Sequence, residues 1–204
     1  MNKAVQNAAR SGIDSSNYFE DYLRPMLKIV ITGPESTGKT TLANALGQHF
    51  QVPVVEEFAR EYLDGLDRPY VEDDLLQIAI GQSFSEDKAR GKAGRMIICD
   101  TDMLTLRIWS KAKYGQFLKP LNPLWFDDLP HLYLVCSPDI PWEPDPQRES
   151  PEDRDALFDM YIAEIERAKV NYAVIKGEER TEQGIRLVEE FVEHVDTQKE
   201  KRKK

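Results

Sequence analysis

Eight residues, GPESTGKT from Gly33 to Thr40, constrain this chain more than any other feature. They follow the apolar, β-branched run LKIVIT and precede a helical pattern through Leu42, Leu46 and Phe50. The spacing G-x-x-x-x-G-K-T in a strand–loop–helix context describes a cradle for phosphate. Gly33 and Gly38 allow backbone angles and close approaches that a side chain obstructs. The loop N–H groups of Glu35, Ser36 and Thr37, with the start of the following helix at Thr40 and Thr41, then face phosphate oxygens. Lys39 reaches the terminal phosphates, and the Thr40 hydroxyl is placed for Mg²⁺.

The rest of the chain alternates in the same way. PVVEE, MIICD, LYLVCS and YAVIK read as further strands, apolar throughout, as strands covered by helices on both faces are. Between them, FAREYLDG, VEDDLLQIAIGQSFSEDKARGKA, TDMLTLRIWSKAKYG, DALFDMYIAEIERAK and EQGIRLVEEFVEHV read as helices, with Thr101 as a cap and Gly115 as a stop. Residues 117–129 are interrupted by proline and end in a short helix. The expected fold is α/β: a five-stranded parallel sheet with helices on both faces and a lid segment, as in P-loop nucleoside and nucleotide kinases. The expected organisation is an N-terminal extension over 1–26, one domain over 27–196 with its lid at about 138–154, and a disordered basic tail over 197–204.

Composition narrows the function. The net charge of -9 speaks against a broad nucleic-acid-binding face. The two cysteines, Cys99 and Cys136, lie inside apolar runs and read as core residues in a reducing compartment. No apolar run is long enough to span a membrane, and the N-terminus lacks a secretory signal, so a cytoplasmic protein is expected.

A triphosphate site of this kind needs a carboxylate at the end of a neighbouring strand, and Asp100 fits as a metal-side ligand. Asp102 reads either as the cap of the next helix or as the group that accepts a proton from an acceptor hydroxyl. The N-K-x-D motif of GTPases is absent, which leaves a compact kinase using ATP and Mg²⁺. Such a kinase needs an acceptor pocket after the second strand, where Glu57, Arg60 and Tyr62 stand. It also needs a lid that carries cations to the transferring phosphoryl group. The proline-rich segment PWEPDPQRESPEDR supplies Arg148 and Arg154, and Trp142 between two prolines reads as a substrate contact. Lys39, Asp102, Arg148 and Arg154 are the expected catalytic set, with Asp100 or Glu57 as alternative bases. The nucleotide's base is expected near residues 176–180.

GPESTGKTTLANAL, VVEEFAREYL, ICDTD and PWEPDPQR followed by Arg154 resemble the ribosylnicotinamide kinase domain of the NadR family over 27–195. The resemblance implies phosphorylation of nicotinamide riboside at its 5′-hydroxyl. It also implies that Trp142 and Asp145 help to hold the nucleoside, and that Asp102 lies near the 5′-hydroxyl. The pyridinium ring of that substrate is a cation, which an aromatic face attracts. NadR-type proteins can carry an adenylyltransferase domain with an HxGH-like motif. His49, His131 and His194 form no such motif, so only the kinase step is expected. Two other readings stay open at the level of sequence: a kinase of another small acceptor, and a regulatory ATPase.

Overall fold

A computed structural model of the chain describes residues 26–144 and 152–202. Five strands, β1 (Leu27–Thr32), β2 (Val54–Val55), β3 (Met96–Asp100), β4 (Leu132–Cys136) and β5 (Tyr172–Ile175), form one sheet in the order β2-β3-β1-β4-β5. Every pairing is parallel, as the alternating sequence pattern requires. The helices between them are α1 (Lys39–Phe50), α2 (Phe58–Asp64), α3 (Glu72–Arg90), α4 (Met103–Tyr114), α5 (Leu121–Phe126), α6 (Arg154–Ala168) and α7 (Arg180–Arg202).

The sheet separates two cores. Leu27, Ile29 and Ile31 point to one face and pack with Leu42, Leu46 and Val188 of α1 and α7. Val30, Ile97, Cys99, Tyr133 and Val135 point to the other and pack with Leu75, Ile78, Leu104, Ile108, Trp125 and Tyr161. Both cysteines are buried and free, as their apolar settings indicate.

The exception in β1 is Lys28, 3% exposed in an otherwise apolar strand. Its Nζ lies 2.6 Å from Glu86 Oε2 of α3 and 2.9 Å from Asp128 Oδ2 after α5. A buried cation needs such partners, because the desolvation cost is otherwise unanswered. Arg107 is buried on the same face of the sheet. It meets Glu164 at 2.8 Å and lies 4.7 Å from the rings of both Phe117 and Trp125.

Two sequence expectations change here. The tail does not begin at 197: α7 runs through to Arg202. The run QKEKR is made of strong helix formers, and a basic end suits the negative pole of a helix. Thr101 is not the cap of α4. Asp102 is, its carboxylate accepting from the Leu104 N–H at 3.0 Å. The N-terminal extension over 1–25 and the middle of the expected lid lie outside the described residues. Among the described residues no helix is long and apolar enough to cross a membrane.

Candidate active site

β1 sits between β3 and β4, so the connections leaving its two neighbours diverge and open a crevice at the C-terminal ends of the strands. The loop over 33–38 fills its centre. Gly33 has φ +129°, and a Cβ there would meet the Cys136 carbonyl oxygen at 2.6 Å. Gly38, with φ +78°, and Ser36, with φ 55°, complete the turn into α1. The Thr37 hydroxyl donates to the Pro34 carbonyl at 2.8 Å, and Lys39 Nζ donates to the same oxygen at 2.7 Å. The loop is thus closed on itself, with its ammonium held over its own mouth.

At the end of β3 the chain makes a turn that decides the roles of two carboxylates. Thr101 has φ 68°, a left-handed conformation costly for a β-branched residue, about 1–3 kcal/mol. This turn sends Asp100 toward the phosphate loop and Asp102 into the core. Asp100 Oδ2 accepts the Thr40 hydroxyl at 2.5 Å, while its Oδ1 is buried without a hydrogen-bond partner. Burial raises the Asp100 pKa against the opposing pull of the Thr40 hydrogen bond and Lys39. A hydroxyl and a carboxylate with one unanswered oxygen suit Mg²⁺, which takes one or two carboxylates and completes its shell with phosphate and water. Among the described residues no group of three or more His, Cys, Asp or Glu side chains could hold a metal ion by itself.

Asp102 contradicts the expectation that it meets the acceptor. It is 1% exposed, and its second oxygen accepts the Tyr133 hydroxyl at 2.6 Å, which in turn accepts Trp125 Nε1–H at 2.8 Å. Both carboxylate oxygens are taken up by the cap and the core. Glu57, on the connection after β2, does reach the crevice. It lies 3.3 Å from Arg60 Nε and 3.5 Å from the Thr101 hydroxyl. Burial raises its pKa; Lys39 draws it down and Asp100 pushes it up.

Three cavities share Glu57 and Arg60 in their walls, one of them, of about 430 Å³, bounded by Thr40, Val55, Glu61, Lys88 and Asp100. A groove lined by residues 36–42, Ile140, Pro141, Glu143, Glu178, Arg180 and Thr181 runs beside the phosphate loop. On the other side lies a small chamber of about 40 Å³, walled by Gly33, Glu35, Thr105, Ile108, Trp109, Leu157 and Tyr161. Ser36, Lys39, Glu57 and Arg60 line both. Glu35, Trp109 and Leu157 of its wall also line a separate, larger cavity of about 390 Å³ bounded by Leu63, Tyr70, Lys113, Asp153 and Met160.

The expected lid residues divide. The backbone N–H of Glu143 donates to Ser36 Oγ at 2.8 Å, so the base of the segment rests on the phosphate loop. Arg154, the first residue of α6, donates to the Ile140 carbonyl at 3.0 Å and the Ser36 carbonyl at 3.3 Å. Asp145 and Arg148 lie outside the described residues. The Trp142 ring stands 5.7 Å from the Arg154 guanidinium. Tyr62 is diverted: its hydroxyl donates at 2.9 Å to Asp74, which Arg68 grips with both terminal nitrogens. Asp74 takes the Val71 N–H as well, and so fixes the start of α3. Its pKa is held well below the usual carboxylate range, by the Arg68 hydrogen bond first.

Sequence reasoning missed Trp109, Thr105, Leu157 and Tyr161. All four sit at ordinary core spacing on α4 and α6, with nothing to distinguish a cavity wall from a packed face. It also missed how Arg180 is used. This guanidinium donates to the carbonyls of Gly177, Thr37 and Ser137, each at 3.0 Å, and pairs with Asp139.

The AAA_28 family, described as an AAA domain, matches residues 28–183. The trifunctional NAD biosynthesis/regulator protein NadR of Salmonella typhimurium is 27% identical over 170 residues, which is 79% of this chain and 41% of that protein. Among solved structures, a NadR protein in complex with NR superposes with a TM-score of 0.72 at 22% identity, over 81% of this chain and 51% of that one. Thymidylate kinase from Ehrlichia chaffeensis superposes with a TM-score of 0.58 at 17% identity, over 82% and 99%. These neighbours share the P-loop kinase fold.

Proposed function

The chain belongs to the AAA_28 family, and from that premise we propose that it is an ATP-dependent kinase that phosphorylates the 5′-hydroxyl of nicotinamide riboside. One observation carries the kinase reading: Ser36, Lys39, Glu57 and Arg60 stand between the nucleotide groove and a second, inner chamber. A phosphoryl group passing from donor to acceptor needs such a shared wall. A regulatory ATPase needs the groove alone. The substrate assignment draws on the likeness to NadR, and on a cavity wall that offers an aromatic ring, Trp109, with carboxylates at Glu35 and Asp153 outnumbering the one ammonium, Lys113, which lies over the Tyr70 ring. A pyridinium cation is suited to such a mixture.

In this mechanism the loop N–H groups hold the β- and γ-phosphates, and Lys39 leaves the Pro34 carbonyl to meet them. Thr40 and Asp100 would hold Mg²⁺, which would supply positive charge against the phosphate oxygens. Glu57 orients the acceptor hydroxyl and takes its proton, the part expected of Asp102 and denied to it by burial. Its raised pKa makes it a stronger base than an exposed glutamate. Arg60 and Arg154 spread charge as it develops on the transferred group. Catalysis here is positioning and electrostatics rather than covalent chemistry.

The test is ATP consumption by the purified protein with Mg²⁺ and a nucleoside panel. Selective turnover of nicotinamide riboside to its mononucleotide is expected. Turnover of another nucleoside alone would overturn the substrate, and hydrolysis indifferent to every acceptor would overturn the kinase.

A further inference from the structure

The helix α3 has an inner face and an outer one. Leu75, Ile78, Ala79, Gln82, Glu86 and Ala89 are buried in the fold. On the opposite side stand Asp73, Gln77, Ile80, Phe84 and Lys88, all exposed. Steps of three and four residues align them in one stripe along the helix. Phe84 is 72% exposed and Ile80 53%, more than any other large apolar side chain among the described residues. The two are one turn apart, so their surfaces join. Single exposed apolar side chains are ordinary, but a joined pair rimmed by polar residues marks a docking surface.

The ends of the stripe carry opposite charges. Asp73 stands at its start and Lys88 at its end, and among the described residues neither makes an ion pair. Asp87, beside Lys88, is held by Arg90 at 3.0 Å. Ile80 lies near the midpoint, about 10 Å along the axis from Asp73 and about 12 Å from Lys88 at the rise of an α-helix.

We propose that this stripe is the contact of a two-fold homodimer, in which α3 lies antiparallel on α3 of a second copy of the chain. A dyad close to Ile80 sets Asp73 of each copy opposite Lys88 of the other. It also brings each Phe84 ring over Ile80 and Gln77 of the other copy. Each residue then meets its counterpart twice, as a self-complementary contact requires. The charges select the direction. A parallel pair sets Asp73 against Asp73 and Lys88 against Lys88, whereas the antiparallel pair answers both charges. It also sets the acidic first turn of α3, with the positive pole of the helix, beside the basic last turn and negative pole of the other copy.

The experiment is sedimentation velocity of the full chain over a range of concentrations, with Phe84→Glu, Asp73→Lys and Lys88→Glu. The wild type is expected to reach twice the mass of one chain. Phe84→Glu should raise the dissociation constant about tenfold or more, because the dyad counts the loss twice. Asp73→Lys and Lys88→Glu should each weaken the dimer about threefold to tenfold, by setting like charges face to face. An equimolar mixture of those two variants should dimerise more tightly than either alone, because each contact between unlike chains again pairs a cation with a carboxylate. That rescue also shows that both variants are folded. A wild-type chain that stays monomeric throughout, its stripe being covered by another part of the chain or by a different protein, overturns the proposal. So does a dimer indifferent to Phe84→Glu, which uses another face, or a mixture no tighter than its components, which excludes the antiparallel register. None of these outcomes bears on the kinase reading, which the nucleoside panel tests separately.

Discussion

Thr40 Oγ1 donates to Asp100 Oδ2 at 2.5 Å and so ties the first turn of α1 to the end of β3. The bond leaves Asp100 Oδ1 buried with no partner. Such an oxygen is costly unless a cation or water answers it. Replacing Asp100 with Asn keeps the size and removes the charge. The expected result is a rise of tenfold or more in the Mg²⁺ concentration needed for half-maximal turnover, with the fold unchanged by circular dichroism. An unaltered Mg²⁺ titration would remove Asp100 from the metal site.

The proposed base gives a pH signature. Burial raises the Glu57 pKa above the ordinary glutamate value of about 4.3. The group must be deprotonated to accept a proton, so activity should fall as pH drops through a limb that lies above that value. Glu57→Gln should lower kcat by about 10²–10⁴ and erase this limb, with the KM for ATP little changed. A variant that keeps both the limb and more than half of kcat would exclude Glu57 as the base.

How much of this was legible in the sequence depends on what each signal reports. The strand–loop–helix around GPESTGKT is a local pattern, and the parallel sheet follows from strand alternation. Asp100 and Asp102 are two residues apart with the same chemistry. The left-handed turn at Thr101 sends one to the crevice and the other to Tyr133, and nothing in the letters D-T-D announces that turn. Tyr62 and Trp109 show the same limit. Both are aromatic residues on helices, and only the Tyr62–Asp74–Arg68 bonds, made between elements, reveal which one is engaged elsewhere. Lys28 is a charge in a strand whose partners lie 58 and 100 residues away.

Arg180 binds the carbonyls of Thr37, Ser137 and Gly177, which belong to the phosphate loop and to the loops after β4 and β5. It therefore holds the wall of the nucleotide groove and the phosphate cradle as one body. Arg180→Ala should raise the KM for ATP about tenfold and leave the acceptor's KM within twofold. Arg180→Lys should recover little, because one ammonium cannot reproduce a planar fork of donors. Equal loss of affinity for both substrates would mean general unfolding of the site rather than this clamp.

The pair formed by Lys28 and Glu86 bears on stability rather than catalysis. Burial pushes the Glu86 pKa up to about 7, against the pull of Lys28. An acid whose folded pKa is raised stabilises the fold below its unfolded value of about 4.3, and loses that contribution as pH rises through the folded value. Removing the cation raises the folded value further, because the opposing Lys28 charge is gone. Lys28→Met should therefore destabilise by about 3–5 kcal/mol at pH 8, where Glu86 is forced to stay charged or to take up a proton at a cost. The loss should be smaller at pH 6, where the buried acid is neutral at little expense. Adding Glu86→Leu to Lys28→Met should recover much of the deficit at pH 8 and flatten the difference between the two pH values. Chemical denaturation of the three proteins at both pH values measures this. A deficit equal at pH 6 and pH 8 would mean that Glu86 does not change protonation with Lys28 gone, its charge being answered by Arg90, which lies 3.4 Å from Glu86 Oε2.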